Sequence, residues 1–309
     1  MKENDYILAV YEEKSFSKAA KRLYLSQPAL SMAVKRIEQE LGITIFDRSS
    51  LYLRPTDEGR IYIEALEEIR AVEKNMRSRL SDISSLLAGK ITVSGENFVA
   101  SFIIPEILTE FMQRYPGIGV ELVESNSPEL RKQLLSERID LLVAHDFDPE
   151  YYTAEELFEE NVLLAVPKDR PLNREFSDYA ITEEEIVAGG VLTHGAVALS
   201  VFRDEDFLML KPGNDLHWRG NELCADFGFS PTIKIELDQL ITSFNLTRAG
   251  LGLSFVTDIL VQKTRVDDCL YYRIEHPIAR RKMSIGYKKN RYLTRAQSAF
   301  IETAHEVFR

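Results

Sequence analysis

Cysteine is nearly absent: Cys224 and Cys269 are the two in 309 residues, too few to supply a disulfide framework for a chain of this size. No Cys/His cluster has zinc-site spacing, so neither disulfide nor metal is expected. Long apolar runs are missing as well, none reaching the roughly 18–20 residues of a membrane span. The acidic start MKENDYILAVYEEKS reads as neither a secretory signal nor a lipidation site. The expectation is a cytoplasmic protein without membrane contact. Catalytic motifs are lacking too. AGLGLS carries Gly250 and Gly252 but no third glycine, and it precedes a strand instead of opening a helix, which speaks against dinucleotide binding. None of the 5 histidines sits in a nucleophile or metal-ligand motif. Cys224, with Leu223 and Phe227 on an apolar helical stripe, reads as core packing before redox sensing. A non-enzyme without cofactor is expected.

Positive charge is in deficit, with a formal net charge of -11. That balance argues against a nucleic-acid partner only if the charge is evenly spread. Residues 1–60 hold ten bases and nine acids, so the acidity belongs to the remainder, and phosphate contact depends on a local basic face. With 45% hydrophobic and 28% charged residues the chain has an ordinary globular composition and the length for two or three compact units.

What is present is concentrated first in SFSKAAKRLYLSQPALSMAVKRIEQELG, residues 15–42. Phe16, Ala19, Ala20 and Leu23 recur on one helical face, with Ser17 where an N-cap would stand. Tyr24-Leu25 interrupts the pattern, and Ser26 is a second N-cap candidate. Pro28 then falls in a first turn, where backbone N–H groups lack intrahelical acceptors. This second helix is expected to run to about Leu41 and stop at Gly42. Leu30, Val34, Ile37 and Leu41 form its core stripe, while Gln27, Pro28, Ser31, Met32 and Lys35 occupy a separate face. Two helices joined by a short turn, the second presenting small polar and basic groups, make the helix-turn-helix pattern, although periodicity alone does not separate it from a helical hairpin with a solvated face. The major groove admits such a helix, where Gln can pair with adenine and Ser with several base edges. TIFDRSSLYLRPTDEG adds the extended segments Ile45-Phe46 and Tyr52-Leu53-Arg54 around a Ser-Ser turn, a wing whose Arg48 and Arg54 are placed to meet phosphates.

The run from about Tyr6 to Gly59, with SFSKAAKRL, LSQPALSMAVKRIEQELG, FDR and LRPTDEG in order, resembles the N-terminal domain of LysR-type transcriptional regulators. The resemblance implies that Gln27, Pro28, Ser31 and Met32 face the groove and that Arg48 and Arg54 lie on the wing. With the cap and the basic residue added, the DNA-facing set is Ser26, Gln27, Pro28, Ser31, Met32, Lys35, Arg48 and Arg54. Many members of that family carry Arg at the Met32 position. Methionine cannot donate a hydrogen bond to guanine, which shifts the expected readout toward apolar contact and DNA shape.

From Thr56, a candidate N-cap, helix-favouring sequence continues to Leu87, a rod of roughly thirty residues and about 45 Å. Ile69, Val72, Met76, Leu80, Ile83 and Leu87 step close to a heptad seam. Such a helix can pack on its own domain, but its length exceeds what a small winged domain covers, so dimerisation through Ile69, Val72, Met76, Leu80 and Ile83 is expected. Two recognition helices then read matched half-sites of dyad-symmetric DNA. The family resemblance implies antiparallel pairing of these helices and a homodimer or homotetramer.

From Lys90 onward strands and helices alternate. KITVSG, the helical FVASFIIPEILTEFMQRYP, VELVES, PELRKQLLSER and IDLLVAH give βαβαβ, and a second set follows with FLMLKP, PTIKIEL and LGLSFVT. Two α/β lobes predict a cleft, with ligands outside the strand C-termini. This half resembles the effector-binding domain of the same family, similar in fold to periplasmic binding proteins. The overall class is therefore α/β: a winged helix-turn-helix domain over 1–58, a linker or dimerisation helix over 59–89, and a two-lobed effector domain over 90–309. Lobe I covers about 90–165 and 266–309, and lobe II about 166–265. By position the effector-binding candidates are Gly95, Glu96, Asn97, Ser125, Ser127, His145, Asn214 and Asp215. Asn97, Ser127 and Asn214 are equally readable as plain helix caps, and His145 as a surface histidine.

Helix N-termini favour anions, and the resemblance implies a small-molecule effector, often a carboxylate. Glu96 and Asp215 oppose an anion if they point inward, which brings a neutral or amine-bearing ligand into consideration. The segment 186–205, with GGVLTHGAVALSVF, is longer than the family's usual connection and lies either over the cleft or at an oligomer contact. The functional expectation is a regulator of transcription that binds DNA under effector control, a reading that admits RNA polymerase as a further partner. The rival is a solute-binding protein of periplasmic type without a DNA role, which has no use for the first eighty-odd residues.

Overall fold

Local cap chemistry fixes the first elements. In the computed structural model, which describes residues 2–47, 53–84 and 89–309, α1 is Lys2–Glu13, α2 is Phe16–Arg22 and α3 is Gln27–Leu41. Ser26 is extended, and its side chain accepts from Ala29 N at 3.3 Å, with Pro28 in the first turn. Gly42 closes α3 in the left-handed conformation at φ +71, where a side chain would be strained. The cap of α2 is Ser15, not the expected Ser17: Ser15 has the extended backbone, and its side chain reaches Lys18 N at 3.4 Å. Ser17 is already inside the helix.

Leu30, Val34 and Ile37 of α3 are buried with Ile7 and Val10 of α1 and Ala19 and Ala20 of α2. Leu41, expected in the same ridge, is 44% exposed, because the last turn of α3 runs past the small core. Strands β1 (Phe46–Asp47) and β2 (Arg54–Pro55) pair antiparallel as the base of a wing. Helix α4, Asp57–Ser84, spans 28 residues, about 40 Å at 1.5 Å per residue. Thr56 Oγ1 accepts from Gly59 N at 2.9 Å, as an N-cap does. Gly59 itself is required by close approach, since a Cβ there would stand 2.0 Å from the Ile45 carbonyl oxygen.

Glu12 joins three helices, 2.7 Å from Arg22 and 2.9 Å from Arg70. Burial pushes its carboxyl upward, but the two guanidiniums outweigh that and hold it below its ordinary value. Ile63 and Leu66 of α4 are buried in this core, whereas Ile69, Val72, Met76 and Leu80 are 47–69% exposed. The side chain of Ile83 lies outside the described residues.

The chain divides into two units, Met1–Leu80 and Ser81–Arg309. In the second, β3 (Gly89–Gly95), a π-helical turn at Val99–Ile103, α5 (Ile104–Arg114), β4 (Ile118–Glu124), α6 (Ser127–Leu135) and β5 (Leu141–Ala144) open the fold. There follow β6 (Tyr152–Pro167), α7 (Leu172–Glu175), β7 (Ala180–Ile181), α8 (Glu183–Val187), β8 (Asp206–Leu210), α9 (Asp215–Asp226), β9 (Thr232–Leu237) and α10 (Leu240–Arg248). The last elements are β10 (Ser254–Thr257), α11 (Asp258–Thr264), β11 (Cys269–Arg273), β12 (Arg280–Lys288) and α12 (Arg295–Val307).

The main sheet runs β4-β3-β5-β12-β6-β11-β7, with β3 parallel to β4 and β5 and with β10 also on β6. Strands β8 and β9 form a separate parallel pair. The result is a two-lobed mixed α/β fold. The 16-residue β6 serves both lobes: its residues up to Asn161 pair with β12, and from Val162 it pairs with β10 and β11. Asp258 sits at this crossing and accepts from Asn161 N at 3.0 Å and Nδ2 at 2.6 Å.

No residue of the long segment 186–205 lines the cleft, and the segment packs on the core of the second unit. Val191, Val197, Leu199 and Phe202 are buried in the main core, Phe202 meets Tyr272 edge to face with ring centroids 5.1 Å apart, and Arg273 Nη1 donates to His194 O at 3.0 Å.

Candidate ligand cleft and nucleic-acid interface

On α3, Ser26, Gln27, Pro28, Met32 and Lys35 are exposed, on the side opposite the buried Leu30, Val34 and Ile37. Ser31 is half-buried and has an interaction within the chain. Arg54 is exposed on β2, and Arg48 lies outside the described residues. One exposed residue that the sequence pattern passed over lies in the turn that leads into α3: Tyr24, 96% exposed and held at φ +55. An unshielded aromatic interrupting a helical pattern is the feature that would have marked it.

In the second unit a cleft of about 300 Å³ opens between the lobes. One wall is Glu96–Val99 after β3, Glu124–Pro128 after β4 and His145 after β5; the other is Lys211–Asn214, Leu216 and Asp238–Leu240, with Arg281 also lining the cleft. Of the expected residues, Glu96, Asn97, Ser125, Ser127, His145 and Asn214 line it together. Gly95 does not: it ends β3 in the core, where a Cβ would meet Val99 Cγ1 at 2.8 Å, so it permits close packing and touches no cleft. Asp215 lies behind, in a smaller cavity of about 40 Å³ that also meets Glu96, Ser127 and His145.

Side-chain partners decide which of these groups are available. Asn214 caps α9, accepting from Leu216 N at 3.0 Å, and Asn126 caps α6, accepting from Glu129 N at 3.1 Å. Ser127 is thereby not needed as the cap, and it lines the small cavity beside Glu96. Asn97 Nδ2 donates to Glu124 at 2.8 Å, and His145 Nε2 lies 2.6 Å from Glu160 Oε1.

Beneath the cleft runs an ionic chain that the sequence reading missed. Arg281 Nε lies 2.7 Å from the fully buried Glu160, and its Nη1 donates to Asp215 at 2.5 Å. Asp215 also accepts from Arg219 Nε at 2.8 Å, and Arg219 reaches Asp146 at 2.5 Å and the Ile278 carbonyl at 2.8 Å. Asp215 and Arg219 belong to α9 in one lobe, whereas Asp146 follows β5 in the other. Burial pushes the Glu160 carboxyl up, but Arg281 and His145 outweigh it and hold the group at about 2. Asp215 is likewise held down by Arg281 and Arg219 against its burial. Glu96 goes the other way: burial raises it despite His145 and Arg281 nearby.

A trace of this chain was in the sequence. Arg281 shares strand parity with the buried Met283, and Glu160 with the buried Val162 and Leu164, so both are charges on a core-facing phase. Among the described residues no group of three or more His, Cys, Asp or Glu is arranged to hold a metal.

Cys224 and Cys269 are buried, and burial pushes each thiol up to about 12. Neither is ionised near neutral pH, so folded protein is expected to resist iodoacetamide, and the double replacement Cys224→Ala, Cys269→Ala to leave any response to ligand intact. Fast alkylation of either thiol without unfolding would contradict this.

The comparisons with known proteins agree with this architecture. A family model described as "LysR substrate binding domain" matches residues 84–309, and one described as "Bacterial regulatory helix-turn-helix protein, lysR family" matches residues 2–60. The HTH-type transcriptional regulator YcgK of Bacillus subtilis (strain 168) is 28% identical over 308 residues, covering 98% of this chain and 93% of the relative. A full-length OxyR variant from Pseudomonas aeruginosa superposes with a TM-score of 0.70 at 22% identity, over 99% of this chain and 93% of the other. Full-length CbnR complexed with its target DNA gives a TM-score of 0.65 at 20% identity, over 99% of each chain. These two likenesses concern the fold. No described helix is long and apolar enough to cross a membrane.

Proposed function

The chain belongs to the LysR family of bacterial helix-turn-helix regulators, and from that premise we propose how its residues divide the work. It is a transcriptional regulator that lays α3 in the major groove of dyad-symmetric promoter DNA and takes a small-molecule effector in the cleft of its second unit. The observation that carries the DNA reading is the exposed face of Gln27, Pro28, Met32 and Lys35 opposite a buried apolar ridge. Gln27 is suited to an adenine edge and Met32 to a thymine methyl, with Lys35, Arg54 and Arg48 meeting phosphates. Ser26 and Ser31 complete this face.

Residues 1–58 form the DNA-binding domain, 59–89 the dimerisation helix, and 90–309 the effector domain, its lobes meeting where β6 and the return to β12 cross. Glu96, Asn97, Ser125, Ser127, His145 and Asn214 contact the effector, and Asp215 supports them from behind. The protein acts as a homodimer or homotetramer in the cytoplasm, with RNA polymerase as a further partner, and catalyses no reaction. A solute-binding protein without a DNA role does not account for the match over residues 2–60.

Effector binding reorients the lobes, and the size of the response is limited by the effector's differential affinity for the two arrangements. The DNA reading is tested by fluorescence anisotropy on the promoter that the protein occupies in its own genome. Gln27→Ala is expected to weaken specific binding by about 10- to 100-fold, at 1–3 kcal/mol per base contact, and Met32→Glu to abolish it, with circular dichroism unchanged. Full promoter affinity in both variants overturns the assignment of α3.

A further inference from the structure

The cleft's own charge pairing restricts what it can hold. Lys211 Nζ is 2.7 Å from Asp238, the Asn97 amide donates to Glu124 at 2.8 Å, and His145 is taken by Glu160 at 2.6 Å. Three charged groups on the lining keep capacity for a ligand: Glu124, which among the described residues has only the neutral Asn97 amide, together with Glu96 and Arg281. Glu96 makes no ion pair among the described residues, it shares the small cavity behind the cleft with Ser127, and burial raises its carboxyl above the ordinary range. A carboxylate so placed gains from a cation or donor brought to it.

Arg281 is the cation among them. It is only 7% exposed as a residue; its Nη1 donates to Asp215, and its Nε lies 2.7 Å from Glu160 as an ion pair without hydrogen-bond geometry. Its Nη2 makes no hydrogen bond among the described residues, and the guanidinium lines the cleft. Close by in the same lining, α10 begins without a side-chain cap: Gln239 makes no cap bond, whereas α6 and α9 have theirs from Asn126 and Asn214. The first N–H groups of this 9-residue helix are therefore available to an anion.

We propose that the effector is a small zwitterion, an amino acid or close relative, with its ammonium group on Glu96 and its carboxylate between Arg281 and the open end of α10. This rests on the cleft being the effector site. A dicarboxylate would set a second negative charge against Glu96, and a plain amine would leave the Arg281 and α10 donors unpaired. Only a ligand of both signs satisfies the two together. The cavity volume, at the lower end of the range for ligand pockets, suits a molecule of that size, with Phe98, Leu216 and Leu240 beside its side chain.

The test uses the full-length protein and thermal-shift titration with the proteinogenic L-amino acids, with acetate, succinate and benzoate, and with putrescine. At least one amino acid is expected to raise the melting midpoint, and its N-acetyl and carboxamide derivatives to lose the shift. Glu96→Gln is expected to weaken that amino acid at least about tenfold and to improve binding of the matching carboxylate that lacks the amine. The proposal is overturned if no amino acid shifts the midpoint, or if a carboxylate or putrescine does so as well as any amino acid. Ser127→Trp, which obstructs the cleft, separates the two levels. A carboxylate whose binding this variant blocks leaves the cleft reading standing while the zwitterion falls, whereas an amino acid that still binds it removes the cleft reading itself.

Discussion

Arg281→Met is expected to destabilise the second unit by about 3–5 kcal/mol, the usual cost of leaving one partner of a buried ion pair alone. Glu160 has no solvent exposure, and the Arg281 guanidinium is its strongest compensation, ahead of His145. Truncating the arginine therefore strands a carboxylate in the core, and it also releases Asp215 on α9. The double variant Arg281→Met, Glu160→Met removes both charges and is expected to recover most of the loss, which distinguishes stranded charge from lost packing. Urea titration of the three proteins checks this. An Arg281→Met midpoint equal to that of the unaltered protein would show that the pair contributes nothing.

Acid should produce part of the same loss without mutation. Glu160 is held at about 2 against an ordinary value of 4.5, so its folded form binds a proton less readily than its unfolded form. The sign follows: its contribution, about 3 kcal/mol at 1.36 kcal/mol per unit, is complete above the ordinary carboxylate range and disappears as pH falls through about 2. Asp258 opposes this at milder pH, because burial raises it to about 6, and its protonation below that value favours the folded state. The urea midpoint is thus expected to hold or rise slightly on mild acidification before it drops.

The second large effect concerns α4. Val72→Glu with Met76→Glu is expected to convert the assembled protein to monomers. Ile69, Val72, Met76 and Leu80 are exposed in the single chain, and burying an apolar side chain of this kind is worth about 1.5–3 kcal/mol. Two positions on each of two helices make the change large compared with typical association energies. Light scattering after size-exclusion chromatography measures it, and an unchanged mass would remove the seam. Promoter affinity should fall by about 100-fold or more in the same variant, since one recognition helix reads only a half-site.

The parts of the molecule that depend on neighbours in sequence were legible before any coordinates. Ser26, Pro28 and Gly42 bound α3 through cap chemistry that acts within a turn, and the structure has them in those roles. Ser15 and Ser17 show the limit of that approach, because both residues are good caps and only the backbone angle chooses between them. The π-helical turn at Val99–Ile103 and the exposed Leu41 were likewise beyond periodicity, since each depends on what packs behind the helix. In the cleft, loop positions after strands were recoverable from topology alone, as Glu96, Ser127 and His145 illustrate. Arg281 was not, because its partner Glu160 is far away in the chain and meets it only through the register of β12 on β6.

That shared strand has a practical corollary for anyone building hybrids. Because β6 runs through both lobes, a sensing half cannot be exchanged between relatives with one splice. Grafts need junctions near Asn161–Val162 and again in the return between Arg273 and Arg280, so that each donor keeps whole ladders and brings Glu160 and Arg281 from the same parent.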